Sequence, residues 1–134
     1  MTAGGMIRIV AALIRDDEGR VLLVRKRGTT AFMQPGGKLD AGEDDISALS
    51  REISEELGCR LDLTSVRPLG AFDAVAANEP GFRVKAILYH ADVTGAVTPS
   101  REIDEAIWID PAAPGDIHLA PLTRDHVLPL ASRR

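Results

Sequence analysis

The chain has 134 residues, 45% of them apolar, and its 16 Lys+Arg against 20 Asp+Glu leave a net charge of −4. That size holds a single domain, residues 1–134, with a core that needs no disulfide or metal staple, and the mild acidity argues against a general nucleic-acid-coating surface. Cys59 is the only cysteine, which excludes an internal disulfide framework and fits a reducing compartment.

No apolar run approaches the ~18–20 residues of a membrane helix. The N-terminal apolar run is cut by Arg8 and Arg15 and lacks a cleavage pattern, so no signal peptide is expected and the expected location is cytoplasmic.

Residues 7–14 and 21–24 are β-branched, apolar-rich runs separated by Asp16-Asp17-Glu18-Gly19, which predicts a hairpin. Arg25-Lys26-Arg27 leaves the second strand, and residues 32–34 form a short extended piece stopped by Pro35-Gly36-Gly37. Residues 44–57 are the strongest helix signal. Ile46, Leu49, Ile53 and Leu57 make one apolar stripe, Asp44 and Asp45 suit its N-terminus, and Gly58 suits a left-handed cap. Strands are predicted at 69–75, 82–93 and 106–109, with turns at Asn78-Glu79-Pro80-Gly81 and at 111–115. Thr123 is predicted to cap a C-terminal helix that Pro129 disrupts. This order predicts an α+β fold, a mixed sheet with helices packed on its faces.

The charge is concentrated. Residues 37–59 hold seven acids against Lys38 and Arg51, a net of −5, and the rest of the chain is +1. Glu52, Glu55 and Glu56 recur at i, i+3 and i+4, a spacing that reads as one face set opposite much of the apolar stripe. They sit in the last turns, where the helix dipole disfavours acids by about 0.3–1 kcal/mol each. A solvated acidic face is one reading of such a run. The other is a divalent cation site, since hard oxygen ligands on a rigid element suit Mg²⁺ or Mn²⁺. The Pro35-Gly36-Gly37-Lys38 turn favours the second reading by bringing backbone groups near the helix, close enough for a metal and a phosphate. Arg51 can pair with these carboxylates or reach a phosphate.

Gly37, five residues, Glu43, seven residues, then Arg51-Glu52-Ile53-Ser54-Glu55-Glu56-Leu57-Gly58-Cys59 resembles the Nudix box, G-x5-E-x7-REU-x-EE-x-GU with U bulky and apolar. Every fixed position is present, with Cys59 small for the last U. Phe32-x-x-Pro35-Gly36-Gly37 resembles the approach to the box, and Glu102, six residues before Trp108, resembles the family's late acidic residue. The resemblance implies an α/β/α sandwich, helices on both faces of a mixed sheet, and hydrolysis of a nucleoside diphosphate linked to another group. It implies that Glu52, Glu55, Glu56 and the Gly36 carbonyl hold Mg²⁺, with Mn²⁺ as a substitute. Glu52 would also orient or deprotonate the attacking water, Arg51 would support the cluster, and Glu43 would be an outer acid. Glu102 would be the extra ligand or base, with Glu105 as the runner-up.

Lys38 and Arg25 or Arg27 are candidates for stabilising charge on the phosphates, against a solvated strand end for Arg25-Lys26-Arg27. Phe32 either stacks on a base or packs in the core, and Gln34 can hydrogen-bond a base. Asp110 either reads a purine edge or caps the Pro111 loop. His90, His118 and His126 lack metal spacing and read as structural. The downstream proline of ADP-ribose hydrolases falls at Ala74 and Val75 here, and the tyrosine of dinucleoside-polyphosphate hydrolases at Ala76. What remains resembles the MutT-like branch that cleanses nucleoside triphosphates. The partner expected is a nucleotide-type small molecule, with no stable nucleic-acid or membrane binding; a homodimer is a family-level expectation. Rival readings are a Nudix-fold sensor without turnover, and a hydrolase of ADP-ribose or dinucleoside polyphosphates.

Overall fold

The computed structural model describes residues 4–133. Strands β1 (Met6–Leu13), β2 (Val21–Lys26), β3 (Phe32–Met33) and β4 (Gly36–Lys38) precede helix α1 (Asp45–Leu57). Strands β5 (Arg60–Val75), β6 (Arg83–Thr94) and β7 (Ile103–Ile109) follow, and a π-helical turn (Thr123–Val127) leads into the short helix α2 (Leu128–Ser132).

The strands divide into two sheets. One is mixed, in the order β4-β1-β6-β5, with β1 parallel to β6; the other is antiparallel, in the order β3-β2-β7. The predicted β1–β2 hairpin exists only at its base. The Leu22 amide donates to the Ile14 carbonyl at 3.0 Å and the Asp16 amide to the Arg20 carbonyl at 2.9 Å. Beyond that turn the strands part, because β6 and β4 take the edges of β1 while β7 and β3 take those of β2.

Strand alternation sorts the apolar side chains into two cores. Val10, Ala12, Ile14, Leu22 and Val24 face α1 and pack with Leu49, Ile53 and Leu57. Ala11, Leu13, Val21 and Leu23 face the other way and pack with Leu122, Val127, Leu128 and Ala131 of the C-terminal segment. Helices therefore cover both faces, as an α/β/α sandwich requires. Each fully buried leucine or isoleucine of α1 contributes about 1.5–3 kcal/mol of apolar burial.

Asp44 caps α1, its side chain accepting from the Ser47 amide at 2.7 Å, and Gly58 ends it at φ 63°. The acids are not opposite the stripe throughout. Glu56 lies two turns beyond Leu49, and Ala48 widens the buried face, so Glu56 is itself buried. Ile46 sits at the margin, only half-buried.

Thr123 is not an N-cap. It lies inside a helical stretch spanning 121–132, with no side-chain cap at its start. The Leu128 amide reaches five residues back to the Thr123 carbonyl. Pro129 follows directly, has no amide hydrogen to give, and crowds the carbonyl four residues earlier. A widened turn ahead of it relieves that conflict.

An acid-lined cavity between the sheets

A cavity of about 340 Å³ opens where β4, α1 and the end of β2 meet the strands of the mixed sheet. Glu52, Glu56 and Glu102 line one end of it, with Lys26 and Lys38 on the rim. Ile9, Val24, Met33, Val84 and Leu122 give it apolar walls.

The paired glycines of β4 set the distance between backbone and helix. Gly36 is at φ 149°, and a Cβ there would lie 2.1 Å from the Val10 carbonyl oxygen. A Cβ on Gly37 would lie 2.5 Å from the Glu52 carboxyl carbon. Only glycine allows this strand to run so close to both β1 and the carboxylate. The Gly36 amide donates to Glu56 Oε1 at 3.1 Å.

Arg51 ties the acids together. Its guanidinium forks onto Glu43 at 2.8 and 2.9 Å, reaches Glu52 at 3.0 Å and touches Glu55 at 3.4 Å. This hydrogen bonding, led by Arg51, holds the Glu43 carboxyl down to about 2, and Glu43 in turn raises the Arg51 guanidinium. Burial acts the other way on the inner acids. It raises Glu52 against the pull of Arg51, and it raises Glu56 to about 8, with Glu52 and Glu102 adding repulsion. Glu55 faces Arg51 and does not line the cavity.

A bulge in β7 separates the two candidate late acids. Arg25 pairs with Glu105 while Lys26 pairs with Ile103, which leaves Asp104 as an extra residue. Arg25 therefore takes both Asp104 and Glu105 as ion partners, at 2.8 and 2.9 Å, on the outside of the sheet. Glu102 precedes the bulge and lines the cavity, following Arg101 at φ 59° in the turn.

Two expected substrate contacts lie elsewhere. Arg25 is spent on Asp104, Glu105 and the Thr29 carbonyl. Phe32 is buried in the core beside the C-terminal segment and does not line the cavity. The Arg27 guanidinium donates to the Arg101 carbonyl. Lys26, grouped in the sequence with a solvated strand end, is the basic residue of that run that lines the cavity, two residues beyond Val24 on the same face of β2. Lys38 and Gln34 line the cavity. So does Thr123, which no motif signals; its hydroxyl donates to Gln34 Oε1 at 2.7 Å. Gln34 Nε2 has no partner, the one buried side-chain nitrogen or oxygen in that state among the described residues. Leaving such a group unpaired costs about 1–3 kcal/mol.

Asp110 caps its loop, accepting from the Ala112 amide at 2.9 Å. His118 pairs with Thr30, and His126 packs on Phe72. Cys59 is buried, and burial raises its thiol.

The donor set suits a hard divalent cation: carboxylate oxygens carrying a crowded negative charge that burial penalises. Among the described residues no three His, Cys, Asp or Glu side chains already converge on one point. No helix among the described residues is long and apolar enough to cross a membrane.

Fold and site together define a class: an α/β/α sandwich whose first helix presents carboxylates to a cavity rimmed by lysines. The NUDIX domain model matches residues 6–131, and the chain belongs to the Nudix family. It is 40% identical over 57 residues to an 8-oxo-dGTP diphosphatase of Haemophilus influenzae, a match covering 40% of this chain and 42% of that protein. It is 27% identical over 111 residues to a Nudix hydrolase of Deinococcus radiodurans, covering 78% of this chain and 64% of that protein. The chain thus spans less than two thirds of the length of these curated relatives. Among solved structures, a MutT NUDIX hydrolase from Burkholderia pseudomallei superposes with a TM-score of 0.74 at 25% identity, covering 94% of this chain and 95% of that one. A MutT protein from Methanosarcina mazei shares the fold, with a TM-score of 0.78 at 23% identity over 99% and 97% of the two chains.

Proposed function

We propose that this chain is a divalent-cation-dependent pyrophosphohydrolase that cleaves the diphosphate linkage of a nucleoside triphosphate or a related nucleoside diphosphate derivative. The observation that carries the reading is the meeting of Glu52, Glu56 and Glu102 with Lys26 and Lys38 around one cavity. Relatives named as diphosphatase and RNA pyrophosphohydrolase support the bond type.

Glu52, Glu56 and Glu102, with the Gly36 carbonyl, would hold the cation, Mg²⁺ or Mn²⁺. Glu55 would join them on release from Arg51. Bound there, the cation supplies charge neutralisation for the diphosphate and Lewis-acid polarisation. The chain's own groups do the rest. Lys26 and Lys38 meet the anionic phosphates at the rim and offset charge that grows on the leaving group. Glu52, held by Arg51, orients the attacking water and takes its proton. Arg51 and Glu43 keep the glutamates in place through their forked pair. The apolar end of the cavity takes the base.

The test is a screen of the purified protein with Mg²⁺ against deoxynucleoside triphosphates, oxidised purine triphosphates, ADP-ribose, nucleotide sugars and diadenosine polyphosphates. Expected is release of pyrophosphate or phosphate from nucleoside triphosphates, lost by orders of magnitude in Glu52→Gln and Glu56→Gln. Mg²⁺ binding without turnover of any compound would support the sensor reading instead.

A further inference from the structure

The cavity holds one polar pair remote from the acid cluster in sequence: Gln34, 5% exposed, and Thr123, fully buried. The Thr123 hydroxyl has a single hydrogen, and it is spent on Gln34 Oε1 at 2.7 Å. In this arrangement Oε1 faces the Thr123 hydroxyl and Nε2 is the free end of the amide. Both hydrogens of Nε2 are left without an acceptor. A leucine would fill the same volume without an orphaned donor. Native structures rarely leave a buried donor unpaired, so the group asks for an explanation. An acceptor on the ligand is the explanation that matches its place in the cavity wall.

Resting on the reading of the ligand as a nucleotide, we infer that Gln34 determines base specificity: its Nε2 donates to a carbonyl oxygen on the base edge, and Thr123 is the positioning residue that keeps the amide in this orientation. Nε2 is closed to water in the ligand-free cavity. Met33, half-buried and flexible about three bonds, lines the same cavity and is a side chain that can shift to admit a base. A base carrying an amino group at that edge sets donor against donor and leaves both unpaired. The cavity therefore selects keto bases over amino bases.

The experiment compares kcat/KM, with Mg²⁺, for two pairs that differ at this edge: inosine against adenosine triphosphate, and uridine against cytidine triphosphate. Wild type is expected to favour the keto member of at least one pair by about 10- to 100-fold. Gln34→Leu is expected to collapse that ratio to within about threefold, through a raised KM for the keto member. Its Tm is expected to stay near that of wild type, because the orphaned Nε2 is gone while the buried Thr123 hydroxyl loses its acceptor. Thr123→Val is expected to lower the ratio and Thr123→Ser to restore it, which a merely structural role would not do. Turnover of these nucleotides with a wild-type ratio near one in both pairs, or a ratio that Gln34→Leu leaves intact, overturns the assignment and leaves the hydrolase standing. Absence of turnover for all four, with no nucleotide raising the Tm, overturns both.

Discussion

In the metal-free protein, Glu56→Gln is expected to raise stability, and the gain is expected to grow with pH. Burial holds the Glu56 carboxyl at about 8 in the folded chain, against an ordinary 4.5. The folded value lies above the unfolded one. Across that window the folded chain keeps a proton that the unfolded chain releases, so wild-type stability falls as pH rises from 4.5 to about 8. At about 1.36 kcal/mol per pK unit, the cost of the charge above that window is on the order of 5 kcal/mol. Glutamine keeps the oxygen that accepts from the Gly36 amide but buries an unmatched NH₂, which returns about 1–2 kcal/mol. A net gain of about 3–4 kcal/mol remains at alkaline pH, or roughly 9–20 °C in Tm for a domain of this size. Thermal unfolding in EDTA at acid, neutral and alkaline pH reads it directly. A variant no more stable than wild type at alkaline pH, or a gain equal at acid and alkaline pH, refutes the electrostatic argument. Adding Mg²⁺ should narrow or reverse the difference, because the cation binds the folded wild type more tightly.

Removing the helix cap with Asp44→Ala is expected to cost about 1 kcal/mol in urea unfolding, since the Ser47 amide loses its acceptor. Gly37→Ala places a methyl group against the Glu52 carboxylate; turnover with Mg²⁺ is expected to fall at least tenfold, about 1.4 kcal/mol of barrier, while the circular dichroism spectrum persists. Glu43 works opposite to Glu56. Its folded value is lowered to about 2, so its contribution is present above 4.5 and lost as pH falls toward 2. Glu43→Gln is therefore expected to destabilise at neutral pH by a margin that shrinks on acidification, checked by urea midpoints. Leu49→Ala is expected to cost about 2–5 kcal/mol at any pH, as a cavity in the core beneath α1.

Helix α1 was legible because everything that specifies it is local. Asp44, the apolar spacing and Gly58 lie within 15 residues, and the structure ends the helix where they say. Strand partnership was not. β1 pairs with β6, which lies more than 70 residues away, and nothing near Asp16 announces that β1 and β2 will part. The site divides in the same way. Glu52 and Glu56 are carried on one helix and could be read together. The depth of Glu56 was misjudged, because Ala48 enlarges the buried face beyond the larger side chains. Choosing Glu102 over Glu105 depends on one bulged residue, Asp104, and no propensity encodes it, whereas Lys26 shares the face of Leu22 and Val24 by strand alternation. Thr123 meets Gln34 across 89 positions of chain, so the orphaned amide exists only in three dimensions.

The two cores give the cavity two owners. Its acid end is carried by α1, which rests on the core of Val10, Ala12 and Leu22. Its Thr123 wall is carried by the C-terminal segment, which rests on the core of Ala11, Leu13 and Leu23. Neighbouring residues of a single strand serve different ends, and the backbone between them insulates one from the other. A change at Leu122, which lines the cavity from the second core, is expected to alter what the cavity admits with less effect on the carboxylates of α1. Selectivity in this molecule can thus be rewritten from the C-terminal segment without renegotiating the chemistry on the helix.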